Sequence, residues 1–302
     1  MSDITVLGIF VADISFSGNK IPSTGETILG DSYNIGPGGK GCNQAIAISR
    51  LGGKVNFISK LGNDDYGKLA IDKLKNDKID TSNIIISNKH KTGVAGIHVD
   101  RNTGKNAITV VRGAPSSLTT KEIDINLIKQ SKIFLTQLEI PIEVTLYCLK
   151  AAKEFGLINI LNPAPACELS SDFFKLIDYF TPNETEAEFY LNKKIKTESD
   201  IKNAGQELLK KGVKNVIITL GEKGVYFANK EENFFLNAFE LKEPVLDTTG
   251  AGDAFNGALT VSLASNLDIK EALIFANKIA GISTTKLGAA ASMPFTKDLV
   301  NY

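Results

Sequence analysis

Along the chain, short apolar runs rich in Val, Ile and Phe alternate with longer segments of helical periodicity. "ITVLGIF" is followed by "NQAIAISRL", "VNFISKL", "YGKLAIDKLKND", "KIFLTQL", "EVTLYCLKAAKEF" and "LINILN". The rhythm resumes with "AGQELLKKG", "NVIITLG" and two helical segments near the C-terminus. Strand and helix alternating in this way predict an α/β fold, a three-layer α/β/α arrangement in which helices cover both faces of a mostly parallel sheet. Ligands of such folds bind outside the carboxyl ends of the strands. Two stretches break the rhythm. Residues 14–36, and the pair "TGVAGIHVD" and "NAITVVRG" within 92–113, read as extended segments with turn chemistry at Asn102 to Gly104 and no helix between them. They predict a small antiparallel flap projecting from the main sheet. No linker or repeat divides the chain, so residues 1–302 are expected to form a single domain carrying a β lid.

Composition narrows the function. Of 302 residues, 43% are hydrophobic and 23% charged, enough to bury a large core. Thirty-four basic residues balance thirty-four acidic ones, so no net field draws the molecule to nucleic acid or to anionic lipid. Any anion must be held locally. Cys42, Cys148 and Cys167 form no metal or disulfide pattern, which suits a reducing cytoplasm. The N-terminal apolar run is flanked by Asp3 and Asp13, which argues against a signal peptide, and no stretch is long enough to span a bilayer. His90 and His98, the only histidines, read as surface or lid residues rather than metal ligands.

Three segments carry candidate chemistry. In "IGPGGKGCN", Gly36, Gly38 and Gly41 satisfy G-x-G-x-x-G, but the first strand should end near Phe10, too far upstream for a dinucleotide fingerprint. It is no Walker A loop either, because Lys40 precedes Gly41 rather than Ser or Thr. What remains is a loop whose backbone can approach a polar ligand, with Lys40 and Asn43 at its helical end, or a tight turn that binds nothing. In "PNETEAEFY", Asn183 and Glu186 have capping-box spacing, while Glu184, Glu186 and Glu188 offer hard oxygens for Mg2+; spacing alone favours the cap. In "DTTGAGDAFNG", Gly250 and Gly252 let successive N–H groups converge where a helix begins near Ala251, creating a site for phosphoryl charge. Asp253 stands in the first helical turn. It is either a favourable N-terminal charge or the base that takes a proton from an attacking hydroxyl, and an Asp with an ordinary pKa near ~3.9 would be ionised for that task.

Together, "GPGGKGCNQA", "LNPAPA", "TPNETEAE", "TLGEKGV" and "DTTGAGDAFNGAL" resemble, in order and over the whole chain, the ribokinase-like (PfkB) family of sugar and nucleoside kinases. The resemblance implies an ATP-dependent phosphotransferase with the ribokinase-like fold. It assigns Asp253 as catalytic base and the Gly250, Ala251 and Gly252 amides as the anion hole. Asp13, Gly39, Lys40, Asn43 and Glu139, with Asp253, match positions that hold sugar hydroxyls. Asn183, Thr219, Gly221, Gly224 and Gly252 match nucleotide-binding positions, and Asn277 one beside the adenine. Glu186 matches a position that holds Mg2+ through water, which reverses the preference for simple capping. Asp247, Thr249, Ser283, Lys286, Gly288 and Ser292 match a monovalent-cation site, several through backbone carbonyls, so K+ is the expected activator. The lid edges and the resemblance together imply a homodimer formed through the lid.

One departure bears on the acceptor. Family members with the motif G-S-I-N-x-D carry an asparagine where "GIFVAD" places Val11, so a hydroxyl-binding amide is replaced by an apolar group. D-ribose, giving D-ribose 5-phosphate, is therefore a default expectation, with another pentose, a ketose, a deoxygenated sugar or a nucleoside as alternatives. A phosphosugar would need more basic residues than Lys40 in the sugar loops. A catalytically silent sugar or nucleotide sensor and a Rossmann dehydrogenase are the readings from other classes.

Overall fold

The computed structural model describes residues 3–301; residues 1, 2 and 302, the ends of the expected domain range, lie outside the described residues. The strands are β1 (Ile4–Leu7), β2 (Val11–Gly18), β3 (Ser32–Gly38), β4 (Val55–Gly62), β5 (Ile84–Ser87), β6 (Gly93–Asp100), β7 (Asn106–Val111), β8 (Ile133–Thr136), β9 (Ile158–Leu161), β10 (Tyr179–Phe180), β11 (Asn215–Thr219), β12 (Val225–Ala228) and β13 (Asn233–Leu236). The helices are α1 (Lys40–Arg50), α2 (Asp65–Asn76), α3 (Ile125–Lys129), α4 (Ile142–Glu154), α5 (Ser171–Phe174), α6 (Glu184–Leu191), α7 (Glu198–Lys210), α8 (Ala251–Ala264), α9 (Ile269–Ser283) and α10 (Ala289–Ser292).

Nine strands form the main sheet in the order β13-β12-β11-β10-β9-β8-β1-β4-β5. Every pair from β11 to β5 is parallel; the pairs β11–β12 and β12–β13 at one edge are antiparallel, so β12 alone runs against the rest. The central strands read as continuous apolar runs because both faces are covered. In β8, Ile133 and Leu135 enter one cluster with α1, α8 and α9, whereas Phe134 enters another with α4 and α7. Each such buried side chain contributes about 1.5–3 kcal/mol, which makes the sheet a stiff platform. The expected three layers are present.

Glycines set the approach of the helices that matter for the site. Gly39 begins α1 at φ +90°, and a Cβ there would stand 2.8 Å from the Ile9 carbonyl oxygen. At Gly257 in α8 a Cβ would come within 2.6 Å of the Ala47 methyl, so the hydrogen there lets α1 and α8 cross closely.

The lid is a four-stranded sheet in the order β3-β2-β6-β7. It departs from the expected antiparallel flap, because β2 and β6 at its centre are parallel, with Val11 opposite Gly93 and Asp13 opposite Ala95. The reason is topological. The chain leaves β2 and β3, passes through α1, β4, α2 and β5 in the main body, and re-enters the lid in the original direction. Only the outer pairs, β2 with β3 and β6 with β7, are antiparallel. The β6–β7 turn falls at Asn102 to Gly104 as expected, with Gly104 at φ +69°. The lid also starts earlier than expected, at Val11 rather than residue 14.

Candidate active site

The carboxyl ends of β9, β10 and β11 and the N-termini of α1, α6 and α8 converge on a cleft of about 190 Å3. Lys40, Asn183, Glu186, Thr219, Gly250, Gly252 and Asp253 line it, together with Asn162, Ala164, Thr181 and Asn256. A larger depression of about 730 Å3 lies at the opposite ends of the strands, around Lys54, Asn56 and Asp80, far from these groups.

Asp253 is the third residue of α8 and is 5% exposed. Its Oδ2 accepts from Asn43 Nδ2 and its Oδ1 from Gln44 Nε2, each at 2.9 Å. Burial raises its pKa, opposed by the Lys40 charge and by the two amide donors. The sequence expectation of an ordinary, fully ionised aspartate is corrected by that burial: the Asp253 carboxylate is a stronger proton acceptor than a solvated one.

Helix α8 starts at Gly250, φ +80°, where a Cβ would meet Ala289 at 3.0 Å. The three expected amide donors are not equivalent. Ala251 N–H donates to the Thr248 carbonyl at 3.2 Å, closing the turn that admits the helix, so it does not point freely at a ligand. Among the described residues, the Gly250 and Gly252 amides have no such acceptor. Asn256 Nδ2 donates to the Gly252 carbonyl at 2.8 Å and Thr181 Oγ1 to Asn256 Oδ1 at 2.7 Å, which pins the turn to the end of β10.

The expected sugar residues gather on the lid side. Asp13 projects from β2, its carboxyl resting 2.1–2.2 Å from where a Cβ of Gly38 would be, so only glycine fits there. Burial, then the nearby Asp253, push its pKa up to about 6. Glu139 Oε2 accepts the Lys40 backbone N–H at 2.9 Å, capping α1 beside Gly39. Burial raises it to about 7, against the pull of Lys40. The Lys40 ammonium is itself held charged, first by Asp253 and also by Glu139 and Glu186. Asn43 presents one further feature, a buried Oδ1 without a partner, directly beside Asp253. Such an orphan acceptor fits a hydroxyl donor. Val11 is 3% exposed and packs in the apolar cluster near Gly93, offering nothing polar.

The capping box forms: Asn183 Oδ1 accepts from Glu186 N and Glu186 Oε2 from Asn183 N, at 2.8 and 2.9 Å. Capping and ligand roles are compatible here, because the cap orients Glu186 into the cleft, where burial raises its pKa. An underpaired carboxyl of this kind fits a hydrated cation. Among the described residues no three His, Cys, Asp or Glu side chains cluster closely enough to hold a metal alone.

Other expected residues lie outside the cleft lining. Gly221 and Gly224 make the β11–β12 turn at φ +58° and +102°, and a Cβ on Gly224 would overlap the Leu236 carbonyl oxygen at 2.1 Å. Asn277 Nδ2 donates to the Asn237 carbonyl at 2.6 Å, tying α9 to the segment after β13. Asp247 binds Thr249 through N and Oγ1 at 2.9 and 2.6 Å, and Gly288 N at 2.9 Å, so these three are adjacent. Ser283 Oγ and Ser292 Oγ donate to the carbonyls of Ala280 and Ala289, and Lys286 Nζ turns away to Asp298 at 3.0 Å. Only the backbone of Lys286 is left for a cation.

Residue-by-residue reading missed Gln44, Gln137, Asn162, Thr181 and Asn256, all buried and hydrogen-bonded around the cleft floor. Nothing local marked them, because each acts through partners distant in the chain.

A family model described as "pfkB family carbohydrate kinase" matches residues 1–296. Ribokinase of Haemophilus influenzae is 38% identical over 301 residues, covering 99% of this chain and 97% of that protein. Deoxyribokinase of Salmonella typhi is 33% identical over 303 residues, covering 99% and 98%. The structure of Arabidopsis thaliana ribokinase complexed with ribose and ATP superposes with a TM-score of 0.93 at 30% identity, covering 99% and 98% of the two chains.

Proposed function

Because the chain belongs to the pfkB family of carbohydrate kinases and is a sugar kinase, we propose that it transfers the ATP γ-phosphoryl group to the primary hydroxyl of D-ribose, forming D-ribose 5-phosphate. The observation that carries this reading is the buried Asp253 carboxylate, held at the amide-rich start of α8 and facing the cleft that Lys40 and Glu186 share.

The acceptor hydroxyl donates its proton to Asp253 as its oxygen attacks phosphorus, and burial favours the protonated product of that transfer. The Gly250 and Gly252 amides and the positive end of α8 stabilise charge on the phosphoryl oxygens; one such donor is worth about 3–4 kcal/mol in a transition state. Ala251 contributes the turn rather than a donor. Asp13, Gly39, Lys40, Asn43 and Glu139 hold the sugar, Asn43 through its unpartnered Oδ1. Asn183, Thr219, Gly221, Gly224 and Asn277 position the nucleotide. Glu186 would hold Mg2+ through water, and the ion, bound with the nucleotide, would supply neutralisation of phosphate charge. Asp247, Thr249, Ser283, Lys286, Gly288 and Ser292 would hold K+, Lys286 through its backbone, since its ammonium is paired with Asp298.

Residues 1–302 act as one catalytic unit whose lid closes over the sugar and excludes water. A homodimer through the lid would cover its exposed Phe16, Tyr33, Ile35 and Val111. The setting proposed is cytoplasmic; among the described residues no helix is long and apolar enough to cross a membrane, and the zero net charge offers nucleic acid no field.

A second acceptor, 2-deoxyribose, is favoured by two observations. Val11 sits two residues before Asp13 on the same strand face and is apolar, and a relative at 33% identity is a deoxyribokinase. ADP release measured across ribose, 2-deoxyribose, fructose and nucleosides, with and without K+, tests both readings. Turnover highest with ribose supports the first, a higher kcat/KM with 2-deoxyribose the second, and no sugar-dependent turnover overturns both.

A further inference from the structure

Side-chain amides can be turned end for end, exchanging donor and acceptor, unless a neighbour of fixed polarity decides. Gln44 has two such neighbours. Asn162 Nδ2 donates to the Thr181 backbone carbonyl at 3.3 Å, so Asn162 presents its Oδ1 to Gln44. An ionised Asp253 only accepts. Both require the NH2 end of Gln44, whose Nε2 lies 3.2 Å from Asn162 Oδ1 and 2.9 Å from Asp253 Oδ1. The other end, Oε1, accepts from Gln137 Nε2 just after β8. Gln44 and Gln137 are 0% and 1% exposed, and neither lines the cleft.

We propose that Gln44 is the positioning residue of the phosphoryl-transfer site: its amide, set in one direction by Asn162 and joined at its other end to Gln137, aims its N–H at the Asp253 carboxylate and so orients it. This rests on the reading of Asp253 as the base. Burial is the main opposition to its charge, with the carboxyl groups of Asp13, Glu139 and Glu186 near it; the buried Cys42 stays a neutral thiol, and Lys40 is the cation set against them. Under that opposition the N–H donors from Asn43 and Gln44 matter, since both favour the carboxylate over the acid. Gln137 is kept at a cost. Its own Oε1 is buried without a partner, wedged where a Cβ on Gly8 or Gly41 would come within 2.3 or 3.0 Å. Its donor end is what the structure uses.

The test is the pH profile of kcat at saturating sugar and ATP, which reports the base in the substrate complex rather than Asp13 and Glu139 in the free enzyme, in Gln44→Glu, a near-isosteric change that swaps donor for acceptor, and in Gln137→Met, which leaves Gln44 and Asp253 in place. The acid limb is expected to move up by about one pH unit in Gln44→Glu, a tenfold loss on that limb, and by less in Gln137→Met. KM for ATP should be nearly unchanged, a split that a merely structural role would not give. If Gln44→Glu does not fold, Gln137→Met decides. Asp253→Asn is run alongside: near-normal turnover there overturns the base assignment and this proposal together. An inactive Asp253→Asn with unmoved acid limbs in the folded variants overturns the positioning role alone.

Discussion

At the crossing of α1 and α8, Gly257 sits so close to Ala47 that no side chain fits between the helices, while in β7 all six residues from Asn106 to Val111 are exposed. The cleft floor is closed before any substrate arrives. Asp253, Asn43 and Gln44 are buried and mutually hydrogen-bonded there, and only an acceptor on Asn43 is left over. The lid is the reverse, a sheet with two open edges and apolar side chains facing water, among them Tyr33 at 72% exposed. A group that must receive a proton from one defined atom needs fixed surroundings, whereas a cover that must admit and release a sugar needs few contacts of its own. The difference separates chemistry from access.

The sharpest way to break this comparison is at the floor. Asp253→Asn keeps the shape and both neighbours but cannot take the proton; kcat should fall by about 10^3-fold, within the range for general bases, with ATP affinity by calorimetry little altered. Near-normal turnover would remove the chemical role from the floor altogether. Gly257→Leu should separate α1 from α8 and cost about 1–3 kcal/mol or more in urea unfolding. A variant as stable as the parent would mean the crossing is not tight.

Acidity separates stability from activity by sign. Asp13 and Glu139 bind protons more tightly when folded, with pKa values rising from 3.8 to about 6 and from 4.5 to about 7. The ligand-free protein should therefore gain stability from these groups as pH falls through about 7 and about 6 towards their unfolded values. Activity should decline over the same window, because the sugar would lose its carboxylate partners. Melting temperature and kcat/KM followed from pH 8 to 5 should diverge, by about tenfold in activity; a parallel decline would contradict the assignment. The smallest effect belongs to the lid. Phe16→Ser or Tyr33→Ser should change monomer stability by no more than about 0.5 kcal/mol, yet weaken self-association in sedimentation and raise KM for the sugar. Unchanged sedimentation would remove the proposed dimer face.

What the chain revealed in advance follows the same division. Alternating strands and helices were visible because each element buries its own face, and Asp253 because the glycines and carboxylate of its motif are contiguous. Gln44 was hidden, since its partner Asp253 is 209 residues away, and nothing local distinguishes a glutamine that holds a base from one that faces water. The parallel pairing of β2 with β6 was equally hidden. Turn residues announce hairpins, whereas a parallel pair is set by the path of the intervening chain. The raised pKa values were beyond reach for the same reason, being sums over burial and charges from several elements. The engaged Ala251 amide shows the limit at the finest scale: the motif marks a helix start but not which of its donors the turn itself consumes.

The central claim is that Asp253 faces the hydroxyl that attacks phosphorus. A crystal structure with ribose and a non-hydrolysable ATP analogue measures this directly. The account predicts a carboxylate oxygen of Asp253 about 2.6–3.2 Å from the sugar's primary hydroxyl, with the Asn43 and Gln44 contacts retained. A hydroxyl that instead meets another residue, with Asp253 beyond the reach of even one bridging water, would contradict it.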